Sequence, residues 1–250
     1  MSLPFISCKC ITYARTSFLE ESIESFLKQE YEGKKELIIV NDYPLQKLYF
    51  DHPEIKIYNL DSTFDNIGKK ENFAVSKCSG EIIALWDDDD IMLPNHLSNI
   101  AKYLTEENNF LQWNKGVFMN MPTIVDITGI GNAGVAYRKE AWEKIGGHPL
   151  ENAGYDMTFL LKIRSELGGC IAASPPDDEV SFFYVWGGRA YHMSGLGADT
   201  PDRPNVIERH IEYIESQRVA GLVPTGDIEL NPNWKYEYDN MLKEFIKNRQ

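Results

Sequence analysis

The sequence predicts an α/β domain with a Rossmann-like, mostly parallel central sheet flanked by helices. Continuous apolar runs, of the kind that parallel sheets bury on both faces, alternate with helical patterns. The order strand, helix, strand, strand, helix, strand, helix is typical of a doubly wound sheet. Three of the strands end in polar residues, and such sheets bind ligands at the carboxyl ends of their strands. We therefore expect one binding crevice at one edge of the sheet.

The first half supplies four strands and three helices. In the first helix, Ser17 and Glu20 have the spacing of a capping box. The second helix is expected over Lys69–Lys77. The third begins at Pro94, where the missing N–H of proline costs least, and continues to about Leu104. Strands are predicted over Phe5–Thr12, Glu36–Asn41, Ile55–Leu60 and Glu81–Trp86.

The second half is less regular. A glycine-rich turn over residues 129–134 leads into a short strand at Val135–Tyr137. Helical spacing is clearest over Tyr155–Leu167, where the apolar residues fall on one side. The remaining predictions are a strand at Phe182–Trp186 and helices near Lys139–Ile145, Asn205–Arg218 and Trp234–Lys247.

Composition limits the class of partner. The chain has 250 residues, with 25 Lys and Arg against 38 Asp and Glu, a net charge of −13. This balance makes nucleic acid an unlikely partner, because its backbone attracts clustered basic residues, but a divalent cation could still bring a phosphate-bearing ligand. No apolar run approaches the ~20 residues of a membrane span. The four cysteines lack zinc spacing and are expected to be reduced. We expect a cytoplasmic protein without a transmembrane segment.

The strongest chemical signal is the run of four carboxylates from Asp87 to Asp90, directly after an apolar strand. Adjacent carboxylates repel one another unless a cation offsets their charge. Hard oxygen ligands suit Mg²⁺ or Mn²⁺, which take the rest of their coordination from water and phosphates. The alternative is a solvated acidic loop. The apolar strand that leads directly into the run favours the metal site.

With these motifs, the chain resembles a family 2 glycosyltransferase with the GT-A fold, over about residues 4–195. The resemblance implies an Asp-x-Asp metal motif at Asp87 and Asp89, with Asp89 on the metal and Asp87 or Asp88 near the ribose. The polar ends of the first two strands also match, although the family's Asp-Asp pair reads Asn41-Asp42 here. The nucleotide-binding residues that the resemblance implies are Thr12, Tyr13, Arg15, Asp42, Lys70, Asp87 and Asp88.

The segment from Asn66 to Asn72 resembles the Asn-x-Gly element that precedes the metal strand in this family. The family usually has Arg immediately before the final Asn, whereas this chain has Glu71. Lys69 or Lys70 could supply positive charge to the donor phosphates. The alternative for Lys70 is a solvated helix face.

The resemblance places the catalytic base at Asp156, with Tyr155 where the family typically has Glu. An acceptor hydroxyl must lose its proton as it attacks the anomeric carbon, and a positioned carboxylate can take that proton. The alternative is an acidic residue that only stabilises the helix N-terminus. In the loop after Trp186, His192 could be a further metal ligand, because neutral imidazole binds Mn²⁺ acceptably, or it could be a structural histidine.

The resemblance implies a metal-dependent, inverting transfer from a nucleoside diphosphate sugar, with a UDP-sugar favoured, to a hydroxyl acceptor such as a glycan. Residues 1–104 would form the nucleotide-sugar-binding half, 105–200 the acceptor and catalytic half, and 201–250 a C-terminal helical extension. Two other functions remain open: a sugar nucleotidyltransferase, and a non-catalytic module that binds a sugar nucleotide or glycan. The helix near Val206 could also support a homodimer.

Overall fold

The structure is a computed structural model that describes residues 2–118, 121–127, 134–152, 154–185 and 205–247. Its helices are α1 (Thr16–Leu27), α2 (Ile67–Lys77), α3 (His96–Tyr103), α4 (Lys139–Lys144), α5 (Tyr155–Glu166), α6 (Val206–Val219) and α7 (Tyr238–Lys247). Its strands are β1 (Ile6–Thr12), β2 (Lys35–Asn41), β3 (Gln46–Tyr49), β4 (Ile55–Asn59), β5 (Ile82–Leu85), β6 (Ile91–Met92), β7 (Phe110–Trp113), β8 (Lys115–Phe118), β9 (Met121–Asp126), β10 (Ala136–Arg138), β11 (Cys170–Ala173), β12 (Phe182–Tyr184) and β13 (Gly226–Glu229).

The described strands form a central seven-stranded sheet in the order β11-β7-β10-β5-β1-β2-β4. The strands β4, β2, β1 and β5 are mutually parallel. Within this sheet, β10 runs antiparallel to both of its neighbours, β5 and β7. The prediction of a mostly parallel sheet is therefore confirmed. Because Thr12 lies opposite Asn41 in the register, the first two strands end side by side.

Helices cover both faces of the sheet. On one face, Leu19, Ile23 and Phe26 of α1 join α3 in a cluster that includes Cys8 and Cys10 of β1. On the other face, α2, α4 and α5 pack against β5 and β7. The interior of β2 is fully buried from Leu37 to Val40, which explains its uninterrupted apolar sequence.

The second half of the chain builds smaller units around this sheet. A four-stranded sheet has the order β6-β12-β8-β9, and Tyr238 and Leu242 of α7 pack on it beside Phe183. Near the other end of the molecule, β13 pairs in parallel with β3. The sequence predicted neither β13 nor β3, because each is a four-residue strand without a long apolar run.

The first three helices begin one or two residues from their predicted starts. The capping box is wrong: α1 begins at Thr16, and the Glu20 carboxylate instead accepts a hydrogen bond from the Asn231 N–H, at 2.9 Å. The second helix begins two residues earlier than expected, at Ile67, because the Asn66 side chain accepts the N–H of Lys69 and caps it. The third helix begins at His96 and not at Pro94.

All four cysteines are free thiols, as expected, and three of them are buried. Burial raises the pKa of Cys8 and Cys10, so these thiols stay protonated and pack as small apolar side chains. Over the described ranges, the structure contains no helix that is long and apolar enough to cross a membrane.

Candidate active site

The crevice begins at the end of β1, where the chain turns sharply before α1. Ala14 has a φ of +59°, in the left-handed region that residues with a Cβ rarely adopt. The residues on either side of Ala14 contact different parts of the crevice. Tyr13 contacts the ring of Tyr43 beyond β2, while Arg15 contacts the carboxylates that follow β5. Backbone strain of this kind is typical of functional sites.

Arg15 is the principal positive charge on the carboxylate run. Its guanidinium binds Asp88 in a bidentate manner through Nε, at 3.1 Å from Oδ2, and through Nη2. Its Nη1 also donates to Asp89 Oδ2, at 2.9 Å. Asp88 is fully buried, and Asp89 is 8% exposed. The fork of an arginine suits such a pair of carboxylates, so Arg15 neutralises part of the charge that the sequence places here.

The other two carboxylates of the run have different surroundings. Desolvation and the charge of Asp89 raise the pKa of Asp87 to about 7. Asp90 is buried, and its Oδ1 accepts the N–H of Val185 at 2.8 Å, which ties the run to the end of β12. On the opposite side, Ser22 of α1 donates its hydroxyl to the carbonyl of Asp87 at 3.0 Å. The run is therefore held at Asp87 through its backbone carbonyl and at Asp90 through its side chain.

Asp42, at the end of β2, forms a second charged centre together with Lys70 of α2. The Lys70 ammonium donates to Asp42 Oδ1 and, at 2.8 Å, to the carbonyl of Thr12. The other carboxylate oxygen of Asp42 accepts the N–H of Phe64 at 3.0 Å. Lys70 is buried, so it does not lie on a solvated helix face. The carbonyl of Thr12 ends β1 only three residues before Arg15, which binds Asp88, so the two centres adjoin at the end of this strand.

Residues that sequence analysis did not select cover this end of the crevice. The ring centroids of Tyr13 and Tyr43 are 5.0 Å apart, and His210 of α6 lies 5.5 Å from Tyr13. Ile214 and Val223 complete this cluster. No local signal pointed to Tyr43 or His210, because their contacts with Tyr13 arise only from the fold.

The helix α2 also fixes the segment that precedes α5. Asn72 binds both backbone groups of His148: its Nδ2 donates to the carbonyl at 2.9 Å, and its Oδ1 accepts the N–H at 2.7 Å. A Cβ on Gly68 would lie 1.9 Å from the carbonyl oxygen of Pro149. The glycine of the Asn-x-Gly element is thus required by this close backbone approach.

Asp156 is half-buried in the first turn of α5. The preceding residue, Tyr155, donates its hydroxyl to Glu71 of α2, at 3.2 Å. Thus, two of the three positions that depart from the family pattern, Glu71 and Tyr155, contact each other. The charges of Asp87, Asp89, Asp90 and Asp156 all act on Tyr184, at the end of β12, whose pKa is raised chiefly by burial. Tyr184 was not among the predicted site residues, although it lies in a predicted strand.

The structure therefore brings all but one of the predicted site residues to the same edge of the sheet. The exception is His192, which lies outside the described residues, as do Trp186 and the loop that follows it. Over the described ranges, no three His, Cys, Asp or Glu side chains are grouped so that they could hold a metal ion by themselves. A cation bound at Asp89 would need further ligands from water or phosphate, which is the usual coordination of Mg²⁺.

Comparisons with known proteins agree with this arrangement. The family model described as glycosyl transferase family 2 matches residues 10–150. An uncharacterized glycosyltransferase of Bacillus subtilis, YwdF, is 36% identical over 102 residues, which cover 39% of this chain and 37% of the relative. The O-antigen biosynthesis glycosyltransferase WbnJ of Escherichia coli is 29% identical over 113 residues, 42% of this chain and 44% of the relative. The matched segments thus span less than half of these relatives.

Solved structures show the same fold. Residues 1–349 of S. aureus TarS in complex with UDP-GlcNAc align with a TM-score of 0.64 at 17% identity, over 98% of this chain and 72% of that one. The mannosyltransferase PcManGT from Pyrobaculum calidifontis, in complex with GDP-Man and Mn²⁺, aligns with a TM-score of 0.58 at 17% identity, over 97% of this chain and 69% of that one. The expected GT-A type of fold is confirmed. Asp156 lies just beyond the segment that the family model matches.

Proposed function

Because the chain belongs to glycosyl transferase family 2, we propose that it is a metal-dependent, inverting glycosyltransferase. It moves a sugar from a nucleoside diphosphate sugar, with UDP as the favoured nucleotide, to a hydroxyl group of a glycan. The observation that carries this proposal is the meeting of two charged centres in one crevice. Lys70 binds Asp42 and the carbonyl of Thr12, and Arg15, three residues after Thr12, binds Asp88 of the carboxylate run.

The donor nucleotide is assigned to the ends of β1 and β2. Asp42 accepts hydrogen bonds and can read the N–H of a uracil ring, while the ammonium of Lys70 can face a ring carbonyl. Tyr13 offers an aromatic face beside them, and its ring lies 5.9 Å from Lys70 Nζ. Thr12 contributes its carbonyl as the second partner of Lys70. A pair that presents one acceptor and one donor complements the N3–H and carbonyl edge of uracil and disfavours cytosine, whose N3 has no hydrogen.

The diphosphate and ribose are assigned to the carboxylate run. Asp87 and Asp88 would face the ribose, and Arg15, which binds Asp88 and Asp89, would meet the diphosphate. The residues fit Mn²⁺ or Mg²⁺, because Asp89 is a hard oxygen ligand and phosphates complete such sites. Asp89 would hold the ion, with His192 as a further ligand. When bound, the ion would stabilise the charge of the leaving diphosphate.

The acceptor is assigned to the side of Asp156. Its carboxylate would remove the proton of the acceptor hydroxyl while that oxygen forms a bond to the anomeric carbon. The bond from the anomeric carbon to the diphosphate oxygen breaks, and its electron pair leaves with the nucleoside diphosphate. Because the acceptor oxygen attacks the face opposite the leaving group, the configuration at the anomeric carbon is inverted. Tyr184, on which the charges of the carboxylate run and of Asp156 both act, would contact the transferred sugar.

The experiment that tests this proposal is thermal unfolding with UDP, GDP, CDP, ADP and dTDP, each with and without Mn²⁺. A ligand that binds only the folded state stabilises it by ~2.7 kcal/mol at a hundredfold excess over its Kd. We expect the largest rise in Tm with UDP, and only in the presence of Mn²⁺. Asp89→Asn should abolish that rise, while the control Asp178→Asn, at an exposed position, should keep it.

Each negative outcome has a distinct meaning. No rise in Tm with any nucleotide would refute the assignment of the crevice to a donor. A rise that does not depend on Mn²⁺ would refute the metal dependence alone. A larger rise with GDP or CDP would refute the uracil assignment at Asp42 and Lys70.

A further inference from the structure

A buried network of charge and hydrogen bonds lies beneath the crevice. Lys9, in the middle of β1, forms an ion pair with Glu71 of α2, and each side chain is 1% exposed. The second carboxylate oxygen of Glu71 accepts the hydroxyl of Tyr155 at 3.2 Å. Lys9, Glu71 and Tyr155 are hereafter called the α2–α5 network. None of the three is among the residues to which a role in substrate binding or proton transfer was assigned above.

The network is costly to build. Removing two charges from water requires a favourable geometry and additional hydrogen bonds before their attraction repays the desolvation. Burial lowers the pKa of Lys9 to about 8, and the charge of Asp87 offsets part of that effect. Lys9 lies on the α2 face of the sheet, where its neighbours in the register, Ile38 and Leu85, belong to an apolar cluster. An apolar residue at position 9 would suit this environment without any such cost.

The network ends at the first turn of α5. Tyr155 is the first residue of that helix and immediately precedes Asp156. Gly154, at the N-cap, has a φ of +71° and no side chain to cap the helix. The N-cap residue therefore gives the start of α5 no side-chain hydrogen bond. The Tyr155 hydroxyl instead attaches the start of α5 to Glu71 of α2.

Two neighbouring residues of α2 thus contact the donor side and the acceptor side of the crevice. Lys70 binds Asp42 and the carbonyl of Thr12, on the nucleotide side. Glu71 binds Tyr155, on the side of Asp156. The helix is itself fixed to the segment before α5 by Asn72 and by the close approach of Gly68 to Pro149. One turn of α2 therefore sets the position of Asp156 relative to the nucleotide pocket.

We propose that Glu71 and Tyr155 are positioning residues for Asp156, and that Lys9 is the buried counter-ion that holds Glu71 in place. The assignment of Asp156 as the base rests on the proposed function. The network acts through the backbone of α5: it holds the start of the helix, so that the Asp156 carboxylate remains at the acceptor hydroxyl. A displacement of about 1 Å at such a carboxylate can lower a rate by a hundredfold.

The test compares Tyr155→Phe with Tyr103→Phe. Tyr103 is a matched control, because its hydroxyl also donates to a glutamate, Glu179, at 3.3 Å, but on α3. We expect Tyr155→Phe to accelerate amide hydrogen exchange of residues 155–162 by about threefold to tenfold, the range expected for one lost hydrogen bond. Turnover of the donor, measured as UDP release from UDP-GlcNAc, should fall at least tenfold in kcat, with its KM within twofold of the wild type.

The Glu71 position supplies a conservative rescue. Glu71→Gln keeps an oxygen for the Tyr155 hydroxyl and should preserve hydrogen exchange in α5, although the uncompensated charge of Lys9 lowers Tm. Adding Lys9→Met should restore part of that Tm. Glu71→Leu removes the acceptor, so it should reproduce the faster exchange of Tyr155→Phe.

Two results would overturn the inference. One is hydrogen exchange over residues 155–162 that is the same in Tyr155→Phe, Tyr103→Phe and the wild type. The other is faster exchange with an unchanged kcat, which would make the network purely structural. If the wild type binds none of the five nucleotides and releases no UDP from UDP-GlcNAc, the proposed function fails by itself. Hydrogen exchange would still decide whether the network holds the start of α5.

Discussion

The buried imidazole of His96 makes stability depend on pH in a way that can be calculated. His96 is fully buried at the start of α3, and its Nδ1 lies 2.9 Å from the hydroxyl of Ser181. The rings of Trp86, Trp113 and Phe182 surround it. Burial lowers the pKa of this histidine to about 3, from an ordinary value of 6.5, because the charged imidazolium would lose its hydration there.

The direction in which stability depends on pH follows from the lowered pKa of His96. Between pH 6.5 and pH 3, the unfolded state binds a proton at His96 that the folded state does not bind. The free energy of unfolding therefore falls as the pH falls through this window, whereas above it the contribution of His96 is fully present. With about 1.4 kcal/mol per pKa unit, the loss between pH 7.5 and pH 5.0 is roughly 2 kcal/mol. The complete loss below pH 3 is roughly 5 kcal/mol.

The assay is urea unfolding followed by tryptophan fluorescence at pH 7.5 and pH 5.0. The perturbation is His96→Gln, which keeps a hydrogen-bonding group near Ser181 but cannot titrate. Because the carboxylates and His148 titrate in both proteins, their effects cancel in the difference. We expect the wild type to lose about 2 kcal/mol more than His96→Gln between the two pH values. The control is His52→Gln, which changes a half-buried histidine and should keep the wild-type dependence. Equal losses in the wild type and His96→Gln would refute the reasoning.

Three further predictions concern the crevice and α2. Arg15→Ala should tighten Mn²⁺ binding severalfold in the absence of nucleotide, because the guanidinium no longer occupies Asp89. The electron paramagnetic resonance of free Mn²⁺ measures this binding, and an unchanged affinity would contradict the competition. Asp156→Asn should keep the calorimetric affinity for UDP and lower transfer by about 10²-fold to 10⁴-fold; full activity would remove the base. Gly68→Ala should lower Tm, because its Cβ would collide with Pro149, whereas the exposed control Ser76→Ala should not.

The sheet and its binding edge could be predicted because the signals for them are local. The apolar run Leu37–Val40 identifies a buried strand by itself, and the polar ends of β1, β2 and β5 follow directly from the order of residues. In parallel strands these ends must meet at one edge. The predicted residues Thr12, Asp42 and Asp87 consequently lie in one crevice.

The features that could not be predicted depend on contacts between distant residues. Glu20 had the spacing of a capping box, but its carboxylate binds the backbone of Asn231, 211 residues away. Lys9 lies within an apolar strand, and its partner Glu71 is 62 residues away. The sequence left two roles open for Lys70, a contact with the donor phosphates or a place on a solvated helix face. No local pattern shows that its side chain reaches Asp42. In each case, a tertiary partner outweighs the local pattern.

The contacts that α6 makes with Tyr13 affect the order in which the nucleotide pocket can form during synthesis. His210 and Ile214 of α6 reach Tyr13 and Tyr43, and Gln46 binds the carbonyl of Pro224, 178 residues further along the chain. A nascent chain could pair β1, β2 and β5 long before these partners leave the ribosome. Contacts of such high sequence separation form slowly. The aromatic end of the crevice is thus expected to be the last part to close, so an incomplete chain would expose Tyr13 and Tyr43 to chaperones.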